Sequence, residues 1–218
     1  MYMSRTDIPG SANQHVKPMA SDPQRDMPDR TFIARSLDDG REFATVFDRH
    51  YERIWRYLNR RAGQAVADDL AGETFVRAFA ARAGYDLEQR DARPWLYGIA
   101  TNLLRERSRS ESRRLRAYAR AAESGVGSDV AEEAQRRVDA AALAPAVAAA
   151  LAELTPNDRD ALLLLALSDL DYGGIAVATG APVGTVRSRL HRARRHMRLG
   201  LEKTKFDLGD LTGERSRT

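Results

Sequence analysis

"PVGTVRSRLHRARRHMR", residues 182–198, threads six arginines and two histidines through an apolar rhythm. On a helix, Val183, Val186, Leu190, Ala193 and Met197 recur at spacings of three and four and make one side. Arg187, Ser188, His191, Arg192 and Arg195 make another. The first side packs and the second stays free. Upstream, Asp171 can cap a short helix containing Ile175 and Ala176, and Gly180 breaks it. A short helix, a glycine turn and a second helix with a polar outer face form a helix-turn-helix, whose second helix enters the major groove. Arginine's planar fork meets guanine O6 and N7 together. Arg189, Arg194, Arg195 and Arg198 suit phosphates, which fix register without reading bases. A membrane-surface helix fits less well, because the apolar side is modest and the turn before it has no role there.

Working back from this helix, "RDALLLLAL" at 159–167 is the most apolar run and reads as the core helix of the same domain. "TPND" at 155–158 starts it, with Thr155 as N-cap, Pro156 in the first position and Asp158 facing the helix N-terminus. Pro145 opens a preceding helix that runs to Leu154. Nearer the N-terminus, Phe43, Val46, Phe47, Ile54, Tyr57 and Leu58 mark a first apolar stripe that Gly63 ends. A second helix places Leu70, Phe75, Ala78 and Phe79 inward, "AGYDLEQRD" at 83–91 is a loop, and Pro94 begins a third helix. Strand-like alternation nowhere exceeds a few residues. The predicted fold is all-α: two small helical domains joined by a flexible linker. The expected boundaries are a disordered tail at 1–40, a first domain at 41–110, a linker at 111–142, a second domain at 143–201 and a frayed tail at 202–218.

Charge is segregated along the 218 residues, whose net charge is only +4. Residues 105–120 hold seven arginines against two glutamates, and residues 182–205 hold eight Arg or Lys against Glu202. Between them, residues 121–170 hold nine acids against three arginines. This reads as two surfaces for a polyanion separated by an acidic segment. Cysteine is absent, which excludes disulfides and thiolate metal sites within the chain. No apolar run approaches the ~20 residues needed to span a bilayer, and no secretory core marks the N-terminus, so a cytoplasmic location is expected.

In their order, these motifs resemble the sigma-70 superfamily, specifically its extracytoplasmic-function (ECF) branch. The stretch 150–198 is similar to that family's −35 recognition domain, and "PVGTVRSRLHRAR" at 182–194 to its recognition helix. "ADDLAGETFVRAF" at 67–79 resembles the helix that binds the polymerase clamp, and "RPWLYGIATNLLRERSR" at 93–109 the helix that reads and opens the −10 element. The resemblance implies a sigma factor that binds core RNA polymerase, through the clamp of the beta-prime subunit and the flap of beta, and directs initiation at promoter DNA in a bacterial cytoplasm. It implies −35 contacts by Arg187, Ser188, His191 and Arg192, with Arg189 and Arg195 beside them. It implies clamp contacts by Asp69, Leu70, Glu73, Phe75 and Arg77. At −10 it implies Arg93, Trp95, Tyr97, Asn102 and Arg105, with the loop from Gly84 to Asp91 receiving an extruded base. An anti-sigma factor is a further implied partner, and no cofactor, metal or catalytic residue is expected.

The residue types agree with those roles, because melting needs aromatic surface, cations along the strand and a polar edge for a flipped base. Core packing is the alternative role for Trp95 and Tyr97, and the expected one for Trp55 and Tyr57. Three positions depart from the family's usual pattern: Gly72 removes a polar contact from the clamp-binding helix and weakens it by ~1 kcal/mol, while Gly173-Gly174 and Thr179 predict a less stable −35 domain. Two rival readings remain. An enzyme could use Asp68, Asp69 and Glu73 as metal ligands, but no second acidic cluster or partner histidine lies at a completing spacing. A one-component helix-turn-helix regulator is the other alternative, with the first domain as sensor or dimeriser.

Overall fold

A computed structural model describes residues 27–107 and 144–213 of the chain, with side chains up to residue 202. Every regular element among the described residues is helical. We label them α1 (Asp29–Arg35), α2 (Ala44–Ala62), α3 (Gln64–Ala81), α4 (Arg93–Glu106), α5 (144–153), α6 (Pro156–Leu167), α7 (Tyr172–Thr179) and α8 (Val183–Gly213). The all-α expectation holds. The whole expected linker at 111–142, residues 1–26 of the expected N-terminal tail and residues 214–218 lie outside the described residues.

The first module is α1 to α4. Its core is Val46, Ile54 and Leu58 of α2, Leu70, Ala71 and Phe75 of α3, and Leu96, Ala100 and Leu104 of α4. Pro94 sits in the first turn of α4, where its missing N–H forfeits no bond. The second module is α5 to α8, closed around Leu154, Leu164, Ile175, Val186 and Leu190. Thr155 caps α6 as its spacing predicts, accepting from the Asp158 amide at 3.2 Å. Asp171 caps α7 by accepting from the Gly174 amide at 2.7 Å. Gly180, at φ 62°, supplies the left-handed turn, and the amides of Gly180 and Ala181 close back on Val177 and Ala176.

Three expectations are corrected. The tail expected to run to residue 40 includes a helix, because α1 inserts Phe32 and Ile33 into the core and both are almost fully buried. Its first residue, Asp29, is buried and accepts from Arg49 Nη1 at 2.8 Å, pairs with His50 Nε2 at 2.8 Å and accepts from the Ala92 amide at 3.0 Å. The second correction concerns helix faces. Phe47, Phe79 and Val183, expected to pack, are each more than a third exposed. Phe79 lies at the rim, edge-on to Phe43 with the Arg82 guanidinium over its ring at 3.8 Å. The third is that α8 continues to Gly213, past the expected fray.

Asp29 also has a thermodynamic signature. Burial pushes its carboxyl up, but the hydrogen bond and charge of His50, the Ala92 amide and Arg49 outweigh this and hold it at about 2, below its ordinary 3.8. A carboxyl lowered on folding contributes fully above its unfolded value and loses that contribution as pH falls through the folded one. Asp29 therefore contributes about 2 kcal/mol that is present above pH ~4 and vanishes toward pH ~2. Denaturant melts of Asp29→Asn should lack that slope, and a slope equal to wild type between pH 4 and 2 contradicts the assignment.

The two modules do not stand apart. Their buried side chains form one continuous cluster. The α4 and α7 helices cross where Gly98 meets Ala178, so closely that a Cβ on Gly98 would stand 2.8 Å from the Ala178 carbonyl oxygen. Beside this crossing, Arg61 of α2 and Asp160 of α6 pair at 2.7 Å, with side chains 1% and 2% exposed.

Candidate nucleic-acid interface

The outer face of α8 follows from its sequence register. Val186, Leu190 and Ala193 are buried against the module, which turns Arg187, Ser188, His191, Arg192, Arg194, Arg195 and Arg198 outward. Arg189 is half-buried at the edge of that face, and the Ser188 hydroxyl donates to the Thr185 carbonyl. Arg187, His191, Arg194, Arg195 and Arg198 line a cleft of about 560 Å³ with Tyr172 of α7. Four guanidinium groups around one open cleft make a strongly positive surface, suited to a phosphate chain. Two arginines of this face have partners: Arg194 donates to the Tyr172 hydroxyl at 3.4 Å, and the Arg192 guanidinium is held by the Asp158 carboxylate of α6.

The α4 helix divides its candidate residues between two faces. Trp95 and Asn102, seven residues apart, share one; Asn102 is exposed, and Trp95 is half-buried against Tyr85 with ring centroids 5.0 Å apart. Arg93, Tyr97 and Arg105 share the other, which faces the second module. Tyr97 is 1% exposed and stands edge-on to Tyr57, and burial pushes its hydroxyl up to about 12. Arg93 and Arg53 both pair with Asp169, and Arg105 pairs with Asp160 while donating to Asn157. Carboxylates of the second module thus hold the cations of the first. In the loop from Gly84 to Asp91, the Tyr85 hydroxyl donates to the Gln89 carbonyl and Arg30 of α1 donates to Leu87.

On α3, Asp69, Glu73 and Arg77 are exposed and together. Arg77 bridges Glu73 and Glu106, and Asp69 faces Arg107 at 3.4 Å, around a cleft of about 330 Å³. The Arg77 guanidinium is raised by its hydrogen bonds to Glu106 and Glu73, so it stays charged. Leu70 and Phe75, assigned by resemblance to the same surface, instead face the core at 2% and 4% exposure. Phe75 packs on Phe47 and Tyr51, and Leu70 only borders the cleft. Asp68, once a candidate ligand, accepts from Trp55 Nε1 at 2.7 Å. Asp29, His50 and Asp91 do bring ligand-type atoms within 4.8 Å of one another, but arginines already neutralise both carboxylates.

Sequence reasoning missed Asp158, Asp160 and Asp169 as partners of arginines on other helices. Its one available signal was the acidic block that separates the two basic segments.

Known protein families match both modules. The family model described as Sigma-70 region 2 matches residues 46–114, and that described as Sigma-70, region 4 matches residues 145–197. The ECF RNA polymerase sigma factor SigC of Mycobacterium tuberculosis is 31% identical over 162 residues, spanning 74% of this chain and 84% of its own. SigE of Mycolicibacterium smegmatis, also an ECF RNA polymerase sigma factor, is 34% identical over 161 residues, spanning 71% of this chain and 59% of its own. Among solved structures, CnrH in complex with the cytosolic domain of CnrY superposes with a TM-score of 0.56 at 21% identity, covering 80% of this chain and 97% of CnrH. No helix among the described residues is long and apolar enough to cross a membrane.

Proposed function

The chain belongs to the sigma-70 family, as an ECF sigma factor, and from that premise we propose how its residues divide the work. It binds RNA polymerase and directs it to promoters. The outer face of α8 enters the −35 major groove, with Arg187, Ser188, His191 and Arg192 at base edges and Arg189, Arg195 and Arg198 at phosphates. The exposed Asp69, Glu73 and Arg77 of α3 meet the polymerase clamp, whose basic surface complements the acids. Around −10, Trp95 and Asn102 offer stacking surface and a polar edge, while Arg93, Tyr97 and Arg105 follow the separated strand. The last three become available when the second module leaves α4. The chain has no chemistry of its own to perform, since polymerase makes the phosphodiester bonds. A cytoplasmic location and a masking anti-sigma protein complete the reading.

The observation that carries it is the pairing, on one chain and in order, of a region 2 module with a region 4 module whose α8 lines an open cleft with four arginines. Mixing the purified chain with core RNA polymerase tests it. Comigration with core, together with initiation at defined start sites, is the expected result. Binding to a duplex operator without any association with core would make the chain an ordinary helix-turn-helix regulator.

A further inference from the structure

Arg192 differs from the other arginines described on the α8 face in being paired with a carboxylate. Its Nη2 donates to Asp158 Oδ1 at 2.7 Å and its Nε to Oδ2 at 3.1 Å. The Asp158 side chain is 8% exposed and the Arg192 side chain 57%. The acid is therefore set into the module while the cation stands in solvent. Asp158 is itself fixed: it lies in the first turn of α6, where a helix N-terminus favours a carboxylate, and its amide donates to Thr155 Oγ1.

Which edge of the guanidinium is taken decides what remains. Asp158 occupies the Nε–Nη2 edge. The Nη1–Nη2 edge, at the far end of the side chain, has no partner among the described residues and points from the face that α8 exposes. Two parallel donors on that edge match two adjacent acceptors, the pattern that guanine N7 and O6 present in the major groove. A free arginine must give up many rotamers to make that contact, whereas one already clamped has given them up before DNA arrives.

We infer that Asp158 is a specificity-determining positioning residue, which holds Arg192 so that its free edge reads a guanine in the −35 element. The inference rests on α8 being the −35 reader. Asp158 touches no base; its effect passes through Arg192.

The test uses holoenzyme assembled from the full chain and core polymerase, with promoters substituted at each −35 base pair in turn. Arg192→Ala should flatten the preference at one base pair. Asp158→Ala should lower the preference at that same base pair about fivefold, the upper range for a partly exposed pair, and leave other positions alone. Asp158→Asn, which keeps the shape and one acceptor, should give a smaller loss at the same place. In the double variant Arg192→Ala/Asp158→Ala, the second change should add nothing. A purely structural role would weaken all promoters alike and would persist without Arg192. If Arg192→Ala flattens one position while both Asp158 variants leave it intact, the inference is overturned. It is equally overturned if they strengthen binding to every sequence, since Asp158 would then be competing with DNA. If Arg192→Ala alters no position while Arg187→Ala does, the inference falls and α8 remains the reader; if neither alters any position, the assignment of α8 itself falls.

Discussion

Asp160→Ala should release the second module from the first. The Asp160 carboxylate is sealed between Arg61 and Arg105, and Arg61 is as deeply buried as its partner. Removing one member of a buried ion pair costs about 3–5 kcal/mol, and Arg61 would be left to its other contacts, among them the Tyr57 hydroxyl at 2.7 Å. Here the cost falls on the docked arrangement alone, because Arg61 regains water once the modules part. At ~1.4 kcal/mol per tenfold, the docked population drops by a factor of about 100 or more. Small-angle scattering should then report a larger radius of gyration. Binding of a single-stranded −10 oligonucleotide should strengthen, because Arg93, Tyr97 and Arg105 lose their cover. An unchanged scattering profile would show that Asp160 does not hold the modules together.

Gly98→Val should reach the same open arrangement with every charge in place. A side chain at 98 meets Ala178 backbone at 2.8 Å for its oxygen and 3.3 Å for its Cα, and backbone cannot swing aside as a side-chain tip can. Overpacking of this kind costs about 1–3 kcal/mol, and more where neither helix can yield. Within α4 the change is mildly favourable, since valine is a better helix former than glycine by a few tenths of a kcal/mol. The strain therefore falls on the contact with α7 and spares the first module. Scattering and oligonucleotide binding should shift as for Asp160→Ala, with Gly98→Ala in between. Oligonucleotide binding that falls while the scattering is unchanged would mean that Gly98 shapes the strand-binding face directly.

Much of the fold was legible because its helices announce themselves locally. Val186, Leu190 and Ala193 recur at helical spacing, and Gly63, Pro94, Thr155, Asp171 and Gly180 stand at boundaries where backbone chemistry requires them. The outward face of α8 followed directly from that register. What stayed hidden depends on partners remote in sequence. Two apolar residues, Phe32 and Ile33, cannot declare a period, and Asp29 is ordered by His50 and by an amide 63 residues away. Phe79 and Val183 have the right spacing for the core but lie beyond the neighbouring helices that would cover them. Tyr57 is core as expected, while Trp55 is only half-buried and spends its indole N–H on Asp68. The acidic block was visible as composition. That Asp158, Asp160 and Asp169 each meet an arginine of another helix is a property of tertiary packing, which no local spacing encodes.

The position of α1 bears on how the chain can be divided for study. A fragment begun at residue 46, where the match to Sigma-70 region 2 opens, would leave His50, Arg49 and the Ala92 amide at the N-cap of α4 facing the space that one carboxylate had filled. Such a fragment would carry the right helices and the wrong loop entrance, and strand selectivity measured on it would belong to the cut rather than to the protein.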